Sequence, residues 1–521
     1  MKLDPIRLAR QEKGFNLWRK GREINGILKP ATGTLIYPTG FGKTYLIILA
    51  IQYMNRAHSD WFAIGIVPTT KLYEDWMGYK DSNGKFINGH VQNHNLKNVR
   101  IFVINTYVKH KNWETDLLFI DEIHRICNND SQFFSTTLNI TKYKYLLGCS
   151  ATLSKKEIDF LATFNIPICD TITEQEAQAH GWIAPASIYN VAIPLSEKDQ
   201  EFNDKINEKF KFFFGRFQHE FDLVKACNAG SNVIMSVTLR KGTYLGKKTG
   251  AEWIKELARV NNYDGNPQHP YSPQNISRNA AQCMNVIHER KNMWQNFPSK
   301  LDYAVAIIKK FPRQTLVFSE TSAFADKLSA LIPDICVSYH TNLETIAIKG
   351  QEEILVKTDK KGRIDKDHKK ELQDKGYTIL GTAKRKSLAL KRFLDPNDSI
   401  RVMSTVKAMD EGVDVPNVSM TLQCAYSSKA RQGTQRRGRS GRIDYDDKTK
   451  KALNICLYME GTQEEKWLRS SQEGKNVINV RDINDINVNQ TISLGTDEPD
   501  EEIIITESNL ESGISRNNSS E

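Results

Sequence analysis

Apolar runs that fit buried strands alternate with amphipathic stretches along the first 185 residues. The runs fall at 34–37, 61–67, 100–105, 116–121 and 144–150, and residues 44–54 carry helical spacing. Leu117-Leu-Phe-Ile120 is apolar without alternation. That suits a strand covered on both faces, and hence a parallel, doubly wound sheet. A second alternating set begins near Ser299, with strands expected at 315–319, 335–339, 400–405, 418–424 and 453–459. Between the sets, Ile206, Phe210, Phe213, Phe217, Phe221 and Val224 recur at intervals of three and four, the pattern of one helix face. A packed core stripe is expected there, in preference to a surface on which bases stack.

The pattern divides the chain into an α/β domain at 1–190, a mainly helical insertion at 191–298, a second α/β domain at 299–475 and an acidic, disordered tail at 476–521. A length of 521 residues agrees, being too long for one core. The eight cysteines are scattered, with no CxxC and no Cys/His pairing. They read as buried thiols of a reducing compartment, not as a disulfide frame or zinc site. With no apolar signal core at Met1-Lys-Leu-Asp-Pro5 and no run long enough to span a bilayer, an intracellular, cytoplasmic protein is expected and no membrane partner. Net charge is +10, but residues 491–521 hold eight acidic groups against one basic, so the first 490 carry a net of +17. A basic body with an acidic, Ser/Asn-rich tail points to nucleic acid as partner and to a tail without chemistry.

Candidate chemistry starts at Tyr37-Pro-Thr-Gly-Phe-Gly-Lys-Thr44, between an apolar run and a helix. Strand, glycine loop and a helix opening on Lys-Thr form a triphosphate cradle. The backbone of Gly40, Phe41 and Gly42 faces the phosphates, Lys43 reaches the β/γ oxygens and the Thr44 hydroxyl ligates Mg²⁺. Tyr37 stands where the strict pattern has glycine. Downstream, the strand expected at 116–121 ends in Asp121-Glu122-Ile123-His124, at the carboxyl edge where ligands of such sheets bind. Two adjacent carboxylates there divide labour: Asp121 holds Mg²⁺ through its water shell, and Glu122 orients and deprotonates the attacking water.

Lys43-Thr44, Asp121-Glu122-Ile123-His124, Ser150-Ala151-Thr152 and Gln435-Arg-Arg-Gly-Arg-Ser-Gly-Arg442, in this order, resemble the motifs of superfamily 2 helicases of the DEAH/DExH type. The resemblance runs from about residue 1 to residue 470. It implies two tandem RecA-like, parallel-sheet (P-loop NTPase) domains with ATP and Mg²⁺ between them, a nucleic-acid strand across their tops and movement 3′ to 5′. By match to the family, Arg439 and Arg442 are arginine fingers and Gln435 touches the phosphates or the catalytic water. His124, Ser150, Thr152 and Gly412 couple hydrolysis to domain movement, and Gln11 and Asp414 contact the nucleotide. Pro68, Thr69, Thr106, Ser319 and Thr405 fall in strand-contacting motifs. A finger supplied across a cleft is typically worth about 10³–10⁵ in rate and ties hydrolysis to closure.

The expected function is an ATP-driven helicase or translocase, with DNA favoured over RNA. The alternatives are an RNA helicase, the motor subunit of a restriction-type complex, and a scaffold with a dead ATPase; the scaffold would require loss of Lys43, Glu122, Arg439 or Arg442, and all are present. Gly246-Lys-Lys-Thr249 reads as a basic turn, not a second phosphate loop. Residues 349–392, with fourteen basic and seven acidic groups, read as an exposed hairpin inserted in the second domain, either a grip on nucleic acid or a solvated loop. Trp182 reads as core.

Overall fold

The computed structural model describes residues 5–57, 60–81, 84–127, 135–350, 352–358, 363–406, 415, 417–426, 430–442, 450–472 and 475–487. Its first lobe is built on a six-stranded parallel sheet in the order Ile168–Thr171, Thr32–Ile36, Thr141–Ser150, Trp113–Asp121, Ala63–Val67, Val99–Val103. The apolar cores on the two faces explain why 117–120 lack alternation: Leu117 and Phe119 pack on one side, Leu118 and Ile120 on the other. The second lobe has a seven-stranded parallel sheet, in the order Cys336–Tyr339, Val402–Thr405, Thr315–Phe318, Met420–Gln423, Ala452–Met459, Ala186–Ile193, Ile478–Val480. Two tandem parallel-sheet domains are therefore present, as expected.

Three expectations are corrected. Ala186–Ile193 pairs along its length with Ala452–Met459, so the chain enters the second sheet before residue 190 and the boundary placed there cuts a strand. The phenylalanine stripe is not one helix: Glu197–Gly215 ends, the chain turns, and Phe221–Asn228 starts afresh. Ile206, Phe217 and Val224 are buried, whereas Phe221 is exposed, because the turn breaks the helical phase. Gly246-Lys-Lys-Thr249 lies in a strand, Tyr244–Thr249, paired antiparallel with Ile234–Thr238. Thr249 then caps the helix Gly250–Val260 through a capping box with Glu252.

The basic stretch near 349–392 is more than a hairpin. Three antiparallel strands, Glu352–Leu355, Ile346–Lys349 and Thr378–Leu380, are joined through the helix Lys366–Asp374 around Ala347, Val356 and Leu372. The helix Thr382–Leu394 follows. All eight cysteines are buried free thiols. Among the described residues no helix is long and apolar enough to cross a membrane.

One buried ion pair locks the second lobe. Lys300 Nζ donates to both carboxylate oxygens of Glu464 at 2.7 and 2.6 Å and to the Cys424 carbonyl at 3.0 Å, while Glu464 also accepts from the Met459 N–H. Both side chains are essentially inaccessible to solvent. Removing one partner leaves a charge stranded in low dielectric, so Lys300→Met should destabilise this lobe by about 3–5 kcal/mol in denaturant unfolding. Replacing Glu464 by Met as well should recover much of that loss; no recovery would mean that packing, not charge, made the difference.

Candidate nucleotide site between the lobes

The glycine loop connects Thr32–Ile36 to the helix Lys43–Ala57, with Gly40 at φ +88° and Gly42 at φ +98°, conformations that favour residues lacking Cβ. Tyr37 replaces the customary glycine because its backbone continues the strand pairing, its N–H bonding to the Ser150 carbonyl at 2.9 Å. Its ring is fully buried and its hydroxyl donates to Asp170, which also pairs with Arg10. Space for the Tyr37 hydroxyl depends on Gly14, where a Cβ would overlap it.

The amino-terminal helix Pro5–Lys20 packs its side chains onto the loop carbonyls. Arg7 donates to Phe41 O at 2.9 Å and to Gly40 O at 2.6 Å, and Gln11 Nε2 donates to Phe41 O at 2.7 Å. Gln11 Oε1 is buried without a hydrogen-bond partner. Arg7 was not singled out in the sequence; its signal was the four-residue spacing from Gln11, which puts both on one helix face. Lys43 Nζ donates to Tyr37 O at 3.2 Å and lies 3.8 Å from Glu122 Oε1. Thr44 is the second residue of its helix.

Asp121 ends its strand beside Cys149, and Glu122 takes a left-handed conformation, φ +55°, that turns the chain into the short helix Ile123–Ile126. Such a conformation costs a non-glycine residue of order 1 kcal/mol or more and is held by its surroundings. Burial raises the Asp121 carboxyl, and the neighbouring Glu122 charge raises it further. Burial also pushes Glu122 up, but Lys43, His124 and Arg439 outweigh it and hold its carboxyl below the usual range. His124 Nδ1 lies 3.1 Å from Ser150 Oγ and 3.2 Å from Glu122 Oε2. Since the Ser150 hydroxyl donates to Thr152 O at 2.9 Å, its lone pairs face the ring and Nδ1 carries the proton. Asp121, Glu122, His124, Ser150 and Thr152 thus meet at the ends of two paired strands.

The second lobe reaches this site through the helix Ala430–Arg437 and the turn that follows. A Cβ on Gly438 would come within 2.6 Å of Thr39, and one on Gly40 within 3.3 Å of Arg442 Cγ. The Gly441 carbonyl accepts from the Ala184 N–H at 2.8 Å. Arg439 acts electrostatically on Glu122, and burial pushes the Arg442 guanidinium down to about 10, partly offset by first-lobe Asp75. Gln435 is buried in the same segment. Arg436 serves the lobe itself, paired with Glu320 at 3.0 Å over the Phe318 ring. Gly412 and Asp414 lie outside the described residues.

The strand-contacting candidates sit at carboxyl ends of strands. Thr69 caps the helix Thr70–Met77, accepting from Leu72 N at 3.2 Å, Pro68 is buried and Thr106 is exposed. Ser319 and Thr405 are fully buried, their hydroxyls donated to the Thr321 and Val406 carbonyls. Trp182 is core, in edge contact with Phe41.

Two parallel sheets facing one another across a phosphate loop and an arginine turn define a two-lobed P-loop NTPase of helicase type. Residues 8–155 match the family of the type III restriction enzyme res subunit, and residues 299–444 match the helicase conserved C-terminal domain. The chain belongs to the superfamily 2 helicases, a family of ATP-driven nucleic-acid motors. It is similar to the DNA 3′-5′ translocase XPB2 of Sulfurisphaera tokodaii, at 22% identity over 460 residues, 86% of this chain and 83% of that one. Among solved structures it is similar to the Hef helicase domain of Pyrococcus furiosus, at 13% identity and a TM-score of 0.45, over 89% of this chain and 97% of that chain.

The Gly438 contact is directly testable. Gly438→Val should weaken the lobe contact by about 1–3 kcal/mol through overpacking. The expected reading is a longer distance between spin labels placed on the two lobes. Unchanged distances would show that the joint tolerates the added methyls.

Proposed function

We propose that this chain is an ATP hydrolase coupled to movement along DNA, separating or remodelling duplexes. The observation that carries the reading is the meeting, across one joint, of Lys43 and Glu122 from the first lobe with Arg439 and Arg442 from the second. Lys43 and the loop backbone bind the β- and γ-phosphates. Glu122, held ionised by its cationic neighbours, accepts the proton of the attacking water. Arg439 and Arg442 neutralise charge spreading over the transferring phosphoryl group, with Gln435 positioning the water or phosphates. The unpartnered Gln11 Oε1 is an acceptor suited to a purine amino group.

Buried Asp121, partly exposed Glu122 beside it and the Thr44 hydroxyl form an oxygen-donor set that fits a hard divalent cation such as Mg²⁺. Thr44 and Asp121 would hold it, and it would supply charge neutralisation between the phosphates. His124 and Ser150 link Glu122 to the strand ends, so cleavage is felt by the elements that carry Pro68, Thr69 and Thr106.

DNA as substrate takes its support from the relative named as a DNA 3′-5′ translocase, which also supports 3′ to 5′ movement. The basic body favours either nucleic acid, and binding to phosphates along a strand weakens as salt rises whichever sugar is present. A second reading, the motor subunit of a restriction-type complex, is supported by the family matched by residues 8–155.

Measured with single-stranded DNA, duplex DNA, forked DNA and RNA at matched salt, ATP turnover should be stimulated by DNA. Stimulation by RNA alone would overturn the substrate assignment. Glu122→Gln should bind ATP and hydrolyse it at least about 10²-fold more slowly, as loss of a general base requires. Rapid turnover in that variant would place the base elsewhere. Arg442→Ala should keep nucleotide binding and lose about 10³-fold or more in rate; unchanged kinetics would remove it as a finger.

A further inference from the structure

Beside the phosphate loop, a cavity of about 930 Å³ opens on the flank of the interlobe joint. The first lobe supplies an apolar wall that includes Ile36, Leu153, Ile168 and Ile172, and the second lobe supplies Arg437 and Lys475. Lys43, Glu122 and Gln11 do not line it, but Pro38 and Thr39 of the phosphate loop and Gly438 and Gly441 of the arginine turn do, so it adjoins the nucleotide cradle without containing the groups assigned to the phosphates.

Arg437 is the one arginine of the Gln435–Arg442 segment that the reading above gives no role at the phosphates and no place in the lobe's own packing. Its side chain is 1% exposed, its Nη2 donates to Thr434 Oγ1 at 3.2 Å, and its Nε and Nη1 have no hydrogen-bond partner. Lys475 Nζ lies 3.2 Å from the same hydroxyl and 3.3 Å from Glu174 of the first lobe. Two cations therefore converge on one hydroxyl with one carboxylate beside them. Burial lowers Lys475, and the charge of Arg437 lowers it further. A buried guanidinium with idle N–H groups is costly, and an oxyanion accepting from its planar fork removes that cost.

We propose that this cavity binds an amphipathic oxyanion, a carboxylate or phosphate head on an apolar body, which holds the lobes closed. The head accepts from Arg437 and Lys475, and the body lies against Ile36, Leu153, Ile168 and Ile172. The volume falls within the range of small-molecule sites. Since both lobes contribute walls, the ligand binds the closed arrangement better and shifts the population towards it. A motor that must reopen to turn over is then slowed. That last effect rests on the ATPase reading above; the binding does not.

The test uses the full chain saturated with ADP and titrated with anilinonaphthalene sulfonate, an aromatic oxyanion that fluoresces when removed from water. One saturable site is expected. Arg437→Met should weaken it about tenfold or more, the loss of a charge-assisted hydrogen bond, and Ile168→Trp should remove it by filling the cavity. Should Arg437→Met fail to fold, Lys475→Met carries the same expectation. Decanoate and decyl phosphate should displace the dye, and the stronger competitor identifies the head group. Dye binding untouched by these substitutions, or displaced by ADP, overturns the site. Binding as described with unchanged ATP turnover overturns the closure effect, whereas dye binding in a protein without ATPase activity faults the functional reading and leaves the site standing.

Discussion

The two lobes touch where a Cβ on Gly438 would fall 2.6 Å from the Thr39 side chain and one on Gly40 would fall 3.3 Å from Arg442 Cγ. Everything attributed to the site depends on that approach. It brings Arg442 against the phosphate loop and lets Arg439 act on Glu122. It also takes these groups partly out of water, into a lower dielectric where charge interactions are stronger. The downward push on Arg442 is the mark of that desolvation, and Asp75 across the joint offsets part of it. A partly desolvated guanidinium is stabilised by nearby negative charge.

Within the first lobe the same physics separates two neighbouring carboxylates. Asp121 is buried and Glu122 largely so, yet burial and like charge raise one while Lys43, His124 and Arg439 depress the other. Environments that push paired acids apart assign different roles to them. The His124–Ser150–Thr152 chain then ties the more acidic member to the end of the adjacent strand.

Much of this was legible along the chain. The strands of both sheets announced themselves because burial on two faces demands continuous apolar residues, as at 117–120. The loop and the arginine segment were legible because phosphate chemistry requires glycine, lysine and arginine at set spacings. Other features left weaker traces. Ile168–Thr171 is short and carries a polar Asp170, committed to Tyr37 and Arg10. Ala186–Ile193 belongs with a strand near the far end of the chain, a pairing that no local pattern records. The phenylalanine stripe kept helical spacing across a turn, so periodicity joined two helices into one. At Ser319 and Thr405 the hydroxyls serve the backbone, a use that the motif as sequence does not record.

The amino-acid sequence by itself determined the alternation that makes two parallel sheets and the glycine, lysine and arginine spacings that a phosphate site requires. Those are local demands: a buried strand needs apolar side chains, and a phosphate cradle needs a positive φ and a lysine. Only the tertiary structure decided which lobe owns residues 186–193, why a tyrosine substitutes for a loop glycine, and that Arg436 pairs with Glu320 while its neighbour Arg437 faces a cavity. Adjacent arginines are equivalent in composition and charge. Their roles diverge because burial and partners come from elements far away in the chain, and such contacts exist only once the sheets have packed.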